Sequence, residues 1–241
     1  MAGSTYLSLT NQLLRRLNEV EVVDVDFSGV QGVQALAKDS ILAAIRSINQ
    51  SEYEWPFNAA NTTQVLSVGV KEYSWIANFK VVDWSSFQVQ KDDSLAVGYS
   101  TLRYIERDEY YSRYRDTDYS AGATGTSVPL YVFPAHGTGF GVSPSPDKAY
   151  SVNYRFYLSS DLLVNYYDTT RIPTQYDSII IDGALYHMYM FRDNNESAQM
   201  TLQVFQQGIK NMQGLLINQY DHVTDTRVLL PKTYTSSATF F

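Results

Sequence analysis

Side chains able to transfer protons, attack carbonyl groups or bind metal are few in this chain and poorly spaced for such work. Its three histidines, His136, His187 and His222, form no His-x-x-x-His or His-Glu-x-x-His pair, so a metal site would need long-range convergence. Cysteine is absent, which removes thiolate nucleophiles, disulfides and sulfur-ligated zinc or iron–sulfur sites. No Gly-x-Ser-x-Gly elbow supplies an acyl-transfer nucleophile. The run Gly137-Thr138-Gly139-Phe140-Gly141 has the glycine density of a phosphate loop. No lysine follows it, and a proline-containing turn stands where a helix should begin, so it reads as a hairpin tip. Carboxylates at Asp92-Asp93, Asp108-Glu109, Asp116 and Asp118 would cleave glycosides only if two converged across a cleft; solvated turns explain them more simply. The expectation is no catalytic residue, no metal ligand and no cofactor.

Recognition chemistry is better represented. The chain carries 20 tyrosines, whose broad faces and polar tips favour interfaces. A long polar stretch, residues 108–127, holds Tyr110, Tyr111, Tyr114 and Tyr119 beside Arg113 and Arg115. Such rings could stack on nucleic-acid bases, but the neighbouring Asp116 and Asp118 favour protein contact, with Tyr111, Arg113 and Tyr114 as candidate interface residues. The formal charge of −7, with only Arg15-Arg16 adjacent among the basic residues, argues against a tight electrostatic grip on nucleic acid.

The elements that would carry these residues fall into three parts. Apolar spacing predicts helices over residues 6–18, 33–51, 173–192 and 195–219. Trp55-Pro56 closes the second, and Pro173 opens the third. In the fourth, Ala198, Leu202, Phe205, Ile209, Met212 and Leu216 repeat at alternating steps of four and three, a packing seam. Between the helical pairs, alternation near residues 64–68, 80–90, 97–105, 128–133 and 149–157 predicts strands separated by turn residues. The fold class expected is α+β: an antiparallel helical bundle built from both chain ends, an antiparallel sandwich or barrel-like insertion, and an extended C-terminal arm. The corresponding divisions are 1–60 with 172–220, then 61–171, then 221–241. Core or subunit-packing positions are Ile41, Ile45, Trp55, Ile180, Ala184, Phe205 and Ile209. No apolar run reaches the roughly eighteen residues of a membrane helix. Residues 1–9 lack the pattern of a secretion signal, and the absence of cysteine suits synthesis and use inside a cell.

Three stretches together carry a resemblance. They are Tyr53-Glu54-Trp55-Pro56-Phe57-Asn58 at the end of the second helix; Phe140 to Asp147 with the strand that follows; and Arg171-Ile172-Pro173-Thr174-Gln175-Tyr176 leading into the third helix. In order and spacing, over residues 5–220, the chain resembles the head-to-tail adaptor, or connector, proteins of short-tailed bacteriophages. That resemblance implies a structural virion protein of the neck, assembled in the host cytoplasm. It implies a ring of typically twelve copies, docked on the portal protein, continuing the DNA channel without sequence-specific contact and receiving the tail nozzle protein and tail fibres. In the adaptors it resembles, the C-terminal segment reaches the portal, which makes Tyr234, Phe240 and Phe241 candidate portal anchors. Two other readings stay open here: a glycan-binding or glycan-cleaving β module, and another tail or baseplate component.

Overall fold

The computed structural model describes residues 3–23, 27, 29–52, 54–75, 79–90, 98–115, 126–135, 137, 139–160 and 162–217. Helix α1, Tyr6–Arg16, starts at Thr5, whose Oγ1 accepts the Ser8 amide at 3.2 Å. It ends two residues before the span expected. Asn18 takes a positive φ of 54°, its amide donates to the Arg15 carbonyl, and the Glu19 amide donates to that of Leu14. This is a Schellman ending, and asparagine tolerates the left-handed position it needs. Helix α2, Val33–Ser51, keeps its expected bounds. Beyond it Trp55 is fully buried, and its indole Nε1 donates to the Ile48 carbonyl at 2.8 Å, so the ring folds back over the last turns of α2.

Pro173 lies in extended backbone ahead of a short 3-10 turn, Thr174–Tyr176; α4, Asp177–Phe191, begins only after it. Asp193, at φ 57°, repeats the Schellman ending, with the Asp193 and Asn194 amides donating to the Met190 and Tyr189 carbonyls. Helix α5, Asn195–Leu216, is capped by Asn194, whose Oδ1 accepts the Ser197 amide at 3.2 Å. Residues 218 and 219, expected in this helix, lie outside the described set.

The four helices contribute to one apolar cluster. It holds Leu9 and Leu13 of α1, Ile41 and Ile45 of α2, Ile180 and Ala184 of α4, Phe205 and Ile209 of α5, and Trp55. Ion pairs and a hydroxyl contact set α1 parallel to α4. Ser4 Oγ donates to Asp177 at one end, Arg16 meets Asp182 at 2.6 Å, and Arg192 pairs with Glu19 at the other. Gly183 leaves room for Phe205: a Cβ there would stand 2.6 Å from the ring. The close neighbour of α4 at Gly183 is therefore α5 of the same chain.

Among the described residues, eight strands form two four-stranded sheets rather than a closed barrel. The first has the order β1 (Ala59–Leu66), β8 (Tyr150–Leu158), β3 (Phe79–Gln90), β4 (Tyr99–Thr101); the second runs β2 (Glu72–Ser74), β7 (Gly139–Ser143), β6 (Tyr131–Pro134), β5 (Arg103–Tyr104). Phe87, Val89 and Val152 of the first sheet meet Val132, Phe140 and Val142 of the second in one core. All the pairings are antiparallel except one. The strand expected over 97–105 breaks at buried Leu102, whose amide donates to the Phe87 carbonyl, while the next amide, of Arg103, donates to Leu130. The chain thereby changes sheets, and β5 pairs parallel with β6. A parallel pair needs a connection of about a dozen residues or more, which residues 105–130 supply.

Two outcomes follow for stability. Ile45 is fully buried in the helical cluster; Ile45→Ala should lower unfolding free energy by about 2–5 kcal/mol in a denaturant melt. A loss below about 0.5 kcal/mol would remove Ile45 from the core. Burial holds the His187 imidazole below its ordinary value. The unfolded chain therefore takes up that proton first, and stability should fall as pH drops from about 6.5 towards the lowered folded value. Urea melts at stepped pH check this, and His187→Gln should flatten the slope.

Candidate functional site

The stretch expected to be a loop after residue 108 begins instead as an ordered helical turn: α3, Arg107–Glu109, running into one π turn, Tyr110–Tyr114. Its seat is the outer face of the second sheet. Val132 points inward, so by alternation Tyr131 and Phe133 point outward. Tyr110 is buried and stacks on Phe133, with ring centroids 3.9 Å apart and planes 13° from parallel. Across the strand pair Phe133 faces Gly141, and a Cβ at residue 141 would stand 2.2 Å from that ring. Glycine at 141 is thus what lets the Phe133 ring lie flat beneath Tyr110.

Above this seat, Tyr111 lies between two guanidinium groups, Arg107 at 5.6 Å and Arg115 at 5.3 Å from its ring centroid. Arg113 pairs with Glu109 one turn away at 3.1 Å. Tyr114 packs on Tyr131 at 4.8 Å, and a hydrogen bond with that tyrosine, then burial, raise its pKa. The turn therefore gathers Tyr111, Arg113 and Tyr114 with the neighbouring Arg115, and adds Arg107, which lies just ahead of the stretch noted in the sequence. Its signal was faint: an arginine four residues before Tyr111. Residues 116–125, which include Tyr119, lie outside the described set.

The other singled-out residues separate by location. Ile41, Ile45, Trp55, Ile180, Ala184, Phe205 and Ile209 are all in the helical cluster, far in kind from any reactive constellation. Tyr234, Phe240 and Phe241 lie outside the described residues, as do His136 and His222. Gly139 to Ser143 is not an anion-cradling loop: it is strand β7, paired with β6, and all five of its residues are buried.

An open cleft of about 840 Å³ crosses the outer face of the first sheet, lined by Asn61, Thr63, Asp83, Gln88, Asn153 and Arg155 among others. Asp83 is the one carboxylate in that lining, and its Oδ1 already accepts from the Ser85 amide and hydroxyl at 3.0 and 2.6 Å. Glycoside cleavage uses two carboxyls flanking the bond, and among the described residues the cleft has no second one. Among the described residues no group of three or more His, Asp or Glu side chains gathers as for a metal ion, and no helix is long and apolar enough to cross a membrane.

The sequence profile of the SU10 adaptor protein family matches residues 4–228, from the segment ahead of α1 to beyond α5. The chain belongs to that family. No curated protein matches the sequence. The family is one of phage structural adaptors, which bears out the resemblance read from the three sequence stretches. Those stretches are structural in the adaptor: Trp55 caps the helical core, Val142 and Ser143 are buried in β7, and Ile172 is buried ahead of α4.

The Tyr110 seat is open to test. Gly141→Ala should push Phe133 aside, unseat Tyr110 and cost roughly 1–3 kcal/mol, the range for overpacking. Adding Phe133→Leu to that variant should recover part of the loss. Equal stability of wild type and Gly141→Ala in denaturant would show that the ring does not depend on the missing Cβ.

Proposed function

We propose that this chain is a head-to-tail adaptor of the virion neck: copies form a ring, of twelve subunits, that docks on the portal protein, prolongs the DNA channel and receives the tail nozzle. The family match over residues 4–228 carries this reading. The chemistry agrees with it, since the described residues are spent on cores, caps and junctions rather than on a reactive cluster. An acidic chain of net charge −7 suits the wall of a channel along which DNA slides without being held.

Within this reading the helical part, residues 1–60 and 172–220, forms the body of the ring, and residues 61–171 form the tail-side part. The Arg107–Arg115 turn serves as the tail-side contact: Tyr111 and Tyr114 offer aromatic faces, and Arg107, Arg113 and Arg115 offer fixed donors. Residues 221–241 reach the portal, with Tyr234, Phe240 and Phe241 as anchors. The protein is not an enzyme and uses no cofactor.

Electron microscopy of the chain mixed with portal and nozzle proteins tests the reading. The expected result is a ring seated between the two. Tyr111, Arg113 and Tyr114 together changed to Ala should leave the ring on the portal but without nozzle, and deletion of residues 222–241 should release it from the portal. A chain that binds neither protein overturns the proposal.

A further inference from the structure

The sandwich has two unlike flanks. On one lie β1 and β2, joined by residues 67–71 and by Gln64, whose amide donates to the Ser74 carbonyl at 3.3 Å. On the other lie β4 and β5, with only Leu102 between them. Among the described residues each of these four strands is paired on one side only. The large apolar side chains that the sandwich leaves exposed gather on the same flanks. Val65, Val68 and Val70 belong to the first; Tyr99, Tyr104 and Leu130, whose carbonyl accepts the Arg103 amide, belong to the second.

Edge strands that stay free are guarded by lysine, proline or a bulge. β1 has none of these over its eight residues, which pair with β8 in one unbroken register. The opposite edge of that sheet is in step with it. Val65 pairs with Ser151, Ser151 with Gln90 and Gln90 with Tyr99; the next rows run from Gln64 to Ser100 and from Thr63 to Thr101. All three pairings are antiparallel, so β4 of one copy laid against β1 of another keeps the alternation. Tyr99, 52% exposed, then faces Val65, 62% exposed, and Thr101 faces Thr63. Aromatic–β-branched and Thr–Thr pairs are among those that stabilise neighbouring strands. The second sheet adds charge. Glu72 and Arg103 are exposed at its opposite edges, in the adjacent outward rows of Phe133 and Tyr131. Neither has an ion pair among the described residues.

We infer that the β4–β5 flank of one copy packs on the β1–β2 flank of the next, with the first sheet continuing from chain to chain. This rests on the ring proposed above and names a contact between copies in its tail-side part. The flanks are unlike, so a joined pair leaves one of each open and the contact repeats until a ring closes. A self-matching surface would stop at two copies. A second copy is the occupant because each flank finds its complement on the other flank of the same chain: matching rows, exposed apolar counterparts, and a carboxylate for a guanidinium. Glu72 of one copy and Arg103 of its neighbour then stand diagonally across the junction, where opposite charges attract.

The chain has no cysteine, so Val65→Cys and Tyr99→Cys each introduce a single thiol. Within one copy the two positions lie at opposite edges of a four-stranded sheet. That separation is roughly 14 Å, too far for a disulfide. The two variants are mixed and mildly oxidised, alone at high concentration and again with portal protein. The expected product is a reducible dimer joining residue 65 to residue 99, in excess over either variant by itself. The double variant should give a ladder of higher multiples of the chain mass. Glu72→Arg and Arg103→Glu should each weaken self-association about tenfold by light scattering, and the two reversals together should restore it. Should the thiol variants lose their fold, the reversals decide. Disulfides that join 65 to 65 or 99 to 99 as readily overturn the inference, as do reversals that leave assembly unchanged or a double reversal no better than the single ones. So does absence of the 65–99 link while electron microscopy still shows rings, and in all these cases the proposed function stands. Wild-type chain that remains monomeric both alone and with portal overturns the two together.

Discussion

The passage from helix to sheet at residues 48–58 is the joint on which the two cores depend. Trp55 closes the last turns of α2, and Asn58 donates its amide to Asn49 Oδ1 at 2.5 Å, with both asparagines buried. Asn49 in turn donates to the Ile45 carbonyl at 2.9 Å and, at 3.4 Å, to Ser160, where the chain leaves the first sheet. Lys80 of β3 donates to the Asn49 carbonyl at 2.5 Å. The way into the β region, strand β3 of its first sheet and the way out are therefore tied to the last turns of α2. Buried amides left without partners cost about 1–3 kcal/mol each, so a shift of one residue at the joint would break several bonds together. The helical cluster and the sandwich are held in register by polar contacts rather than by a shared apolar core.

Much of the helical part was legible because its signals are local. In α2 the apolar period runs unbroken from Val33 until Trp55-Pro56 stops it, and the helix has the expected ends. Where ends were misjudged, the cause lay in single residues: Asn18 in the left-handed position shortens α1, and the 3-10 turn after Pro173 delays α4. The strands were harder to read because pairing is not local. Alternation continues through Leu102, so nothing in the one-dimensional pattern marks a change of sheet, and β2 has only three residues with which to show any pattern at all. Glycines at 139 and 141 read as a turn; in the fold they are strand positions, emptied of side chains for Tyr73 backbone and the Phe133 ring.

The Arg107–Arg115 turn shows the same division. Its composition pointed to recognition, and the three residues chosen from sequence do sit on one turn. Its order was not legible, because Tyr110 is held by Phe133, 23 residues later, and Phe133 is held by the absence of a side chain at Gly141. Helical period could not announce a turn whose stability comes from a ring stacked on the far side of a long connection.

The joining of α1 and α2 to α4 and α5 has a consequence for the birth of the chain. Leu9, Ile41 and Ile45 find their partners Ile180 and Phe205 only after more than half of the protein has been translated. At a synthesis rate of about 5–20 residues per second, the amino-terminal helices wait on the order of ten seconds with apolar faces open, while the sandwich between them emerges. Long-range closure of this kind is slow and exposes sticky surface to neighbouring nascent chains. A host cell producing many copies at once would therefore place this protein among the natural clients of its chaperones.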